Sequence, residues 1–249
     1  MFYYVKTGMQ IIDGEFIRLD KRKKPRKRSL FWRIFKLVAF IILLPFILVP
    51  FYSFIPPLSI PVIEKAVTLQ SVSWRWRSIE NISPHLAASV IAAEDGKFCD
   101  HDGVDWKALE KSYKRYEKRG KMKHGASTIP MQTAKNLFLW YLPTMARKPL
   151  EIPLAMWMDF VWSKQRMMEI YLNIAEFGKG VYGAEAAAQK YFGKPAKNLS
   201  KREAALMAAV LPSPKKRKLN KPGKYVRGYA DRIKSRSHQQ ETDCLKDGA

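Results

Sequence analysis

From Leu37 to Ile63 the chain reads LVAFIILLPFILVPFYSFIPPLSIPVI, without one charged side chain. A run of about 20 apolar residues is what a helix needs to cross the hydrocarbon of a bilayer, and a helix in a soluble core has no use for so long a one. Pro45 and Pro50 would kink it, but kinks are tolerated in membrane spans, where neighbouring groups satisfy the freed carbonyls. A cleaved signal peptide would have a shorter apolar region ending in small residues, whereas this one continues into aromatics and IPPLSIP. The reading divides the chain into a basic tail (1–33), a transmembrane helix (34–54), a linker (55–70), one main domain (71–220) and a basic, polar C-terminal tail (221–249).

The charge supports this arrangement. The chain carries a formal net charge of +23, and RLDKRKKPRKRS (18–29) packs eight basic residues around one acid. Such a block could bind nucleic acid. Beside a membrane span, however, it reads as a surface anchor and topology signal. That orientation keeps the N-terminus in the cytoplasm and places everything after residue 60 outside, so the chain sits in the inner membrane with a periplasmic domain. Cys99 and Cys244 could form one bridge, but Cys244 lies in SRSHQQETDCLKDGA, which reads as disordered, and no structural disulfide is expected.

Helix punctuation dominates the rest, giving a mainly α fold. Ser83 and Pro84 start an alanine-rich apolar segment. Trp106, Leu109, Tyr113 and Tyr116 recur at helical steps. Ser200 and Glu203 form a capping box before a stripe that stops at Pro212. Only residues 67–76 look extended.

Four stretches hold polar residues that helical patterning alone does not require. In VIAAEDGKFCDHDGVDW (90–106), Glu94 falls on the side of Leu86 and Val90, where burial would raise its carboxyl pKa toward the range of a general base. In HGASTIPMQTAKN (124–136), a turn into Ser127 and Thr128 offers N–H groups and hydroxyls to an anion, with Lys135 and Asn136 two turns along. Arg147 and Glu151 lie one turn apart and could be a helical ion pair. The fourth stretch, 162–193, begins with Lys164 and Arg166 and reaches Asn173 before a glycine-punctuated second helix. His101 and His124 share no metal-ligand spacing with a cysteine, and no Ser-His-Asp grouping or P-loop is present.

Taken together, E-D-x-x-F-x-x-H-x-G-x-D at Glu94 to Asp105, G-x-S-T-I-x-x-Q-x-x-K-N at Gly125 to Asn136, R-K-x-x-E at Arg147 to Glu151 and the Y-L-N stretch at Asn173 resemble the peptidoglycan glycosyltransferases of family 51, in both order and separation. The resemblance runs from about Ser71 to Pro214, and the short chain with one span resembles the monofunctional branch. It implies a lysozyme-like, two-lobed helical fold that polymerises lipid II into glycan strands. Glu94 matches the catalytic base and Glu151 the second acid. Lys135, Arg147 and Lys148 match positions associated with the donor pyrophosphate. Ser127, Thr128, Gln132 and Asn136 match the substrate cleft, and Asp95, Phe98, His101, Gly103, Gly125, Lys164, Arg166 and Asn173 complete the substrate-binding set.

A divalent cation, magnesium or manganese, could contact Glu151, and no organic cofactor is implied. The implied partners are lipid II, the growing glycan strand, the membrane, and cell-division or other cell-wall synthesis proteins, with no nucleic acid. Met131 stands where the family has Gln, Ala126 where it has Gly, and Pro149 and Pro153 bracket Glu151 where helix is implied. A lysozyme-like hydrolase would need no pyrophosphate clamp, and a non-enzymatic membrane scaffold would leave the clustered polar residues without purpose.

Overall fold

The structure, a computed structural model, describes residues 9–12, 15–18, 30–119, 127–240 and 242–246. The chain divides into two units, residues 1–43 and 44–249. In the first, β1 (Met9–Ile12) and β2 (Glu15–Arg18) pair antiparallel, Met9 opposite Arg18. Helix α1 (Leu30–Phe51) starts in this unit and continues into the second. It is long and apolar enough to cross a membrane. It begins four residues before the expected span, because Arg33 and Lys36 are good helix formers and nothing breaks the helix there. Pro45 and Pro50 lie inside it.

The second unit is helical. Within the expected linker, α2 (Ile60–Val67) forms with Pro61 in its first turn and buries Pro61 and Val62. After β3 (Ser73–Trp74) comes α3 (Pro84–Glu94), then α4 (Trp106–Arg119), α5 (Ile129–Phe138), α6 (Thr144–Val161) and α7 (Lys164–Ile174). Strands β4 (Glu176–Gly178) and β5 (Val181–Tyr182) complete a small sheet of order β3-β5-β4, in which β3 runs parallel to β5. Helices α8 (Ala184–Phe192), α9 (Lys201–Val210) and α10 (Lys224–Ser237) follow.

Helix α7 is the hub, with every residue from Met167 to Ile174 buried. Burial on every side makes it a core helix, and its polar side chains are bonded inside, Glu169 accepting from Ile79 N and Asn173 from Arg77 N. Around it, α3 packs on α9 and α10, while α5 packs on α6 and α7.

Local signals behave as their physics dictates, with instructive exceptions. Ser200 and Glu203 form both arms of the capping box, and Gly193 closes α8 in the left-handed region. Ser83 occupies the N-cap of α3, but its hydroxyl instead donates to the Leu199 carbonyl at 2.9 Å, tying two distant segments together. On α4, Trp106 and Tyr113 are exposed, while Leu109 packs against Val104, Met131 and Ala155. Pro149 and Pro153 leave α6 continuous.

Two expectations about the C-terminus are overturned. Residues beyond 220 do not form a tail apart from the domain, since α10 buries Val226, Ala230 and Ile233 in the core. Nor are the cysteines unpaired, because Cys99 and Cys244 form a disulfide across 145 residues of sequence. The polar composition after Ser235 concealed Cys244 and Leu245, which pack against the core as the chain folds back after α10.

Candidate active site

The site is built on four helices, α3, α5, α6 and α7. Glu94 is the last residue of α3, following the fully buried Leu86 and Val90 down one face. Its Oε2 accepts from Gln132 Nε2 on α5 at 2.9 Å, and Gln132 Oε1 accepts from the Tyr171 hydroxyl on α7 at 3.1 Å. Glu94 Oε1 is buried and has no hydrogen-bond partner. Burial pushes the carboxyl above its ordinary range, against the opposing pull of Gln132, Lys135 and Arg217. An acceptor oxygen held this way is poised for a donor proton brought by a ligand.

One turn along α5, Lys135 is pushed below the ordinary lysine range, first by burial and then by Arg147, while Glu151 and Glu94 act to restore it. Glu151 is buried on α6 between two cations: Arg147 Nε donates to Oε1 at 2.5 Å and Lys148 Nζ pairs with Oε2 at 2.9 Å. Lys148 also donates to the Ser127 hydroxyl at 2.6 Å. The result is three cations around one acid, a net positive centre near a buried carboxylate. Asn136 is half-buried beside Lys135 on α5.

Since both oxygens of Glu151 are engaged, a divalent cation would have to displace Arg147 or Lys148. Among the described residues no group of three or more His, Cys, Asp or Glu is placed to hold a metal. This donor set does not suit a protein-held divalent cation.

Most other residues singled out in the sequence have their polar atoms engaged within the protein, while His101 Nδ1 is buried without a hydrogen-bond partner. Asp95 is buried, accepting from Ile129 N at 2.9 Å and pairing with His101 Nε2 at 2.9 Å, so it fastens the segment after Glu94 to the start of α5. Phe98 is fully buried beneath that segment. Gly103 adopts φ +81°, and its carbonyl accepts from the Thr128 hydroxyl at 2.6 Å. Lys164 donates to the His101 carbonyl at 2.5 Å, pairs with Asp159 and lies over the Phe98 ring. Arg166 donates to the carbonyls of Tyr52 and Ile55 and pairs with Glu169. Asn173 accepts from Arg77 N and donates to Arg77 O. Gly125 lies outside the described residues, as do Ala126 and His124.

Sequence reasoning missed Tyr171, which orients Gln132, and Arg217, whose charge acts on Glu94. Tyr171 stands in the Y-L-N stretch, from which the motif singles out only Asn173. Arg217 stands in KKRKLNK, where nothing separates it from its basic neighbours.

A family model described as transglycosylase matches residues 62–238. A biosynthetic peptidoglycan transglycosylase of Agrobacterium fabrum is 50% identical over 212 residues, covering 84% of this chain and 93% of that protein. One from Rhizobium etli is 46% identical over 87% of this chain and 94% of its own length. One from Haemophilus influenzae is 44% identical over 82% of this chain and 83% of its own.

Proposed function

This chain belongs to the transglycosylase family, and from that premise we propose that it is a membrane-anchored peptidoglycan glycosyltransferase of cell-wall synthesis, polymerising lipid II into β-1,4 glycan strands with release of undecaprenyl pyrophosphate. The observation that carries this reading is the juxtaposition of a buried carboxylate having one unpartnered oxygen, Glu94, with the cationic centre of Lys135, Arg147 and Lys148.

Each group has a role in the transfer. Glu94 Oε1 takes the proton of the acceptor sugar's 4-hydroxyl, and the freed oxygen pair forms a bond to the donor's anomeric carbon from the face opposite the leaving group. The bond from that carbon to the pyrophosphate oxygen breaks, with inversion. Gln132 holds Oε2 so that Oε1 faces the hydroxyl, and Tyr171 holds Gln132. Negative charge growing on the pyrophosphate is stabilised by Lys135, Arg147 and Lys148, which are already oriented and so need little reorganisation. Glu151 keeps Arg147 and Lys148 from repelling one another out of place. Anchoring by α1 would keep the site near its lipid-linked substrate.

Labelled lipid II resolved on a sizing gel tests the reading. The wild-type protein should lengthen precursor into a ladder and leave finished strands intact. Shortening of finished strands without polymerisation would instead establish a hydrolase.

A further inference from the structure

Several charged or titratable groups surround Glu94. Asp95 follows it in the chain, α5 contributes Lys135, α7 contributes Tyr171 and α10 contributes Tyr229. The remaining one is Arg217, in the turn between α9 and α10. Most cations in a basic run are solvated and mobile, but this guanidinium is held in place. Its Nη1 donates to the Ala209 carbonyl, at the end of α9, at 2.6 Å. The group lies over the rings of Tyr225 and Tyr229, with centroid distances of 5.2 and 5.6 Å. The Tyr229 hydroxyl donates to the Ala93 carbonyl at 3.4 Å, one residue before Glu94. The tyrosine seat of the arginine is therefore fastened to the last turn of α3.

Lys135 and Arg217 both favour the charged form of Glu94, but they are not equivalent. Lys135 shares its field with Arg147, Lys148 and Glu151 and, in the proposed reaction, faces the anionic leaving group. Pyrophosphate bound there would cancel much of what Lys135 does for Glu94. Arg217 instead contacts α9 and α10, and none of the ion pairs among the described residues includes it.

We propose that Arg217 is a positioning residue for the transfer: seated on Tyr225 and Tyr229, it keeps Glu94 as the carboxylate that accepts the proton while Lys135 is committed to the leaving pyrophosphate. This inference rests on Glu94 being the base. Arginine suits the task because it stays charged at every working pH and stacks on aromatic faces, which fixes its position.

The test is the pH dependence of lipid II polymerisation by the full-length protein and its Arg217→Gln, Arg217→Lys, Tyr229→Leu and Glu94→Gln variants, with melting temperatures recorded alongside. Removing a positive charge makes Glu94 harder to deprotonate, so loss must be greatest at low pH. Arg217→Gln should lose roughly tenfold at pH 5.5 and less than about twofold at pH 8.5. Arg217→Lys should recover most of the loss at pH 5.5, and Tyr229→Leu, which removes one ring of the seat and its bond to Ala93 but leaves the Arg217 charge, should lose activity in the same pH-dependent direction by a smaller factor. Should Arg217→Gln fail to fold, the other two variants carry the comparison. Loss by one factor at every pH, or an unchanged profile, would overturn the assignment of Arg217 while an inactive Glu94→Gln left the base in place. Wild-type turnover by Glu94→Gln would overturn both.

Discussion

Glu94 and Lys135 are pushed toward one another by the same cause. Burial raises the acid and lowers the base, so each titrates nearer neutrality than it would in water. Activity that needs Glu94 ionised and Lys135 charged should therefore fall at both ends of the pH range, with the acid limb above the ordinary carboxylate range and the alkaline limb below the ordinary lysine range. Lys135→Arg should remove the alkaline limb, because guanidinium stays protonated; rates measured from pH 5 to 10 would check it. Glu94→Gln keeps the shape and the contact to Gln132 but cannot take a proton. Its turnover should fall by about a hundredfold to ten-thousandfold with lipid II binding largely retained, as read by single-turnover kinetics alongside a binding assay.

At the scale of elements, the site depends on how α3, α5 and α6 are joined. The α3–α4 loop crosses close to α6 at Gly103, where a Cβ would come within 2.6 Å of the Ala155 carbonyl oxygen and 2.9 Å of the Met156 Cα. Backbone atoms in mid-helix cannot move aside, and φ of +81° is itself costly for any side chain. Gly103→Ala should lower stability by about 2 kcal/mol or more, seen as a reduced melting temperature. Activity should fall as well, since the Gly103 carbonyl fixes Thr128 at the start of α5. Helix α6 shows the converse: two prolines remove two helical N–H donors without ending it. Its buried residues Leu154, Ala155 and Met158 hold the helix against its neighbours, and tertiary packing outweighs the local penalty.

In the molecule as a whole, the disulfide binds the C-terminal segment to the loop that follows Glu94. A crosslink closing a loop of 145 residues restricts the unfolded chain strongly. Cys244→Ser should cost about 2–5 kcal/mol, and reductant should lower the melting temperature of the wild type but not of the variant. A bridge of this kind persists in an oxidising compartment, which agrees with placing the domain outside the membrane. Alkaline phosphatase fused at the C-terminus should accordingly be active in the periplasm, and an inactive fusion alongside an active cytoplasmic reporter would reverse the orientation.

The sequence by itself determined what depends on short spacings. The uncharged run predicted a helix able to span a membrane, the Ser200–Glu203 spacing predicted a capping box, and the ordered motifs brought out Glu94, Gln132, Lys135, Arg147, Lys148 and Glu151, which the fold gathers around α5. Only the tertiary structure decided the rest. Ser83 sits where a capping residue should, yet a carbonyl 116 residues away takes its hydroxyl. Cys244 lies in a segment of disordered composition, yet meets Cys99. Asn173, Arg166 and Lys164 belong to a motif, yet bind backbone carbonyls of distant segments. Arg217 looks like one more cation in a basic run until Tyr225 and Tyr229 fix it beside α3. Hydrophobic periodicity and helix caps act over one or two turns and leave their mark in adjacent residues. Hydrogen bonds and a disulfide between segments 63 to 145 residues apart leave none, because their partners become neighbours only when the core has formed.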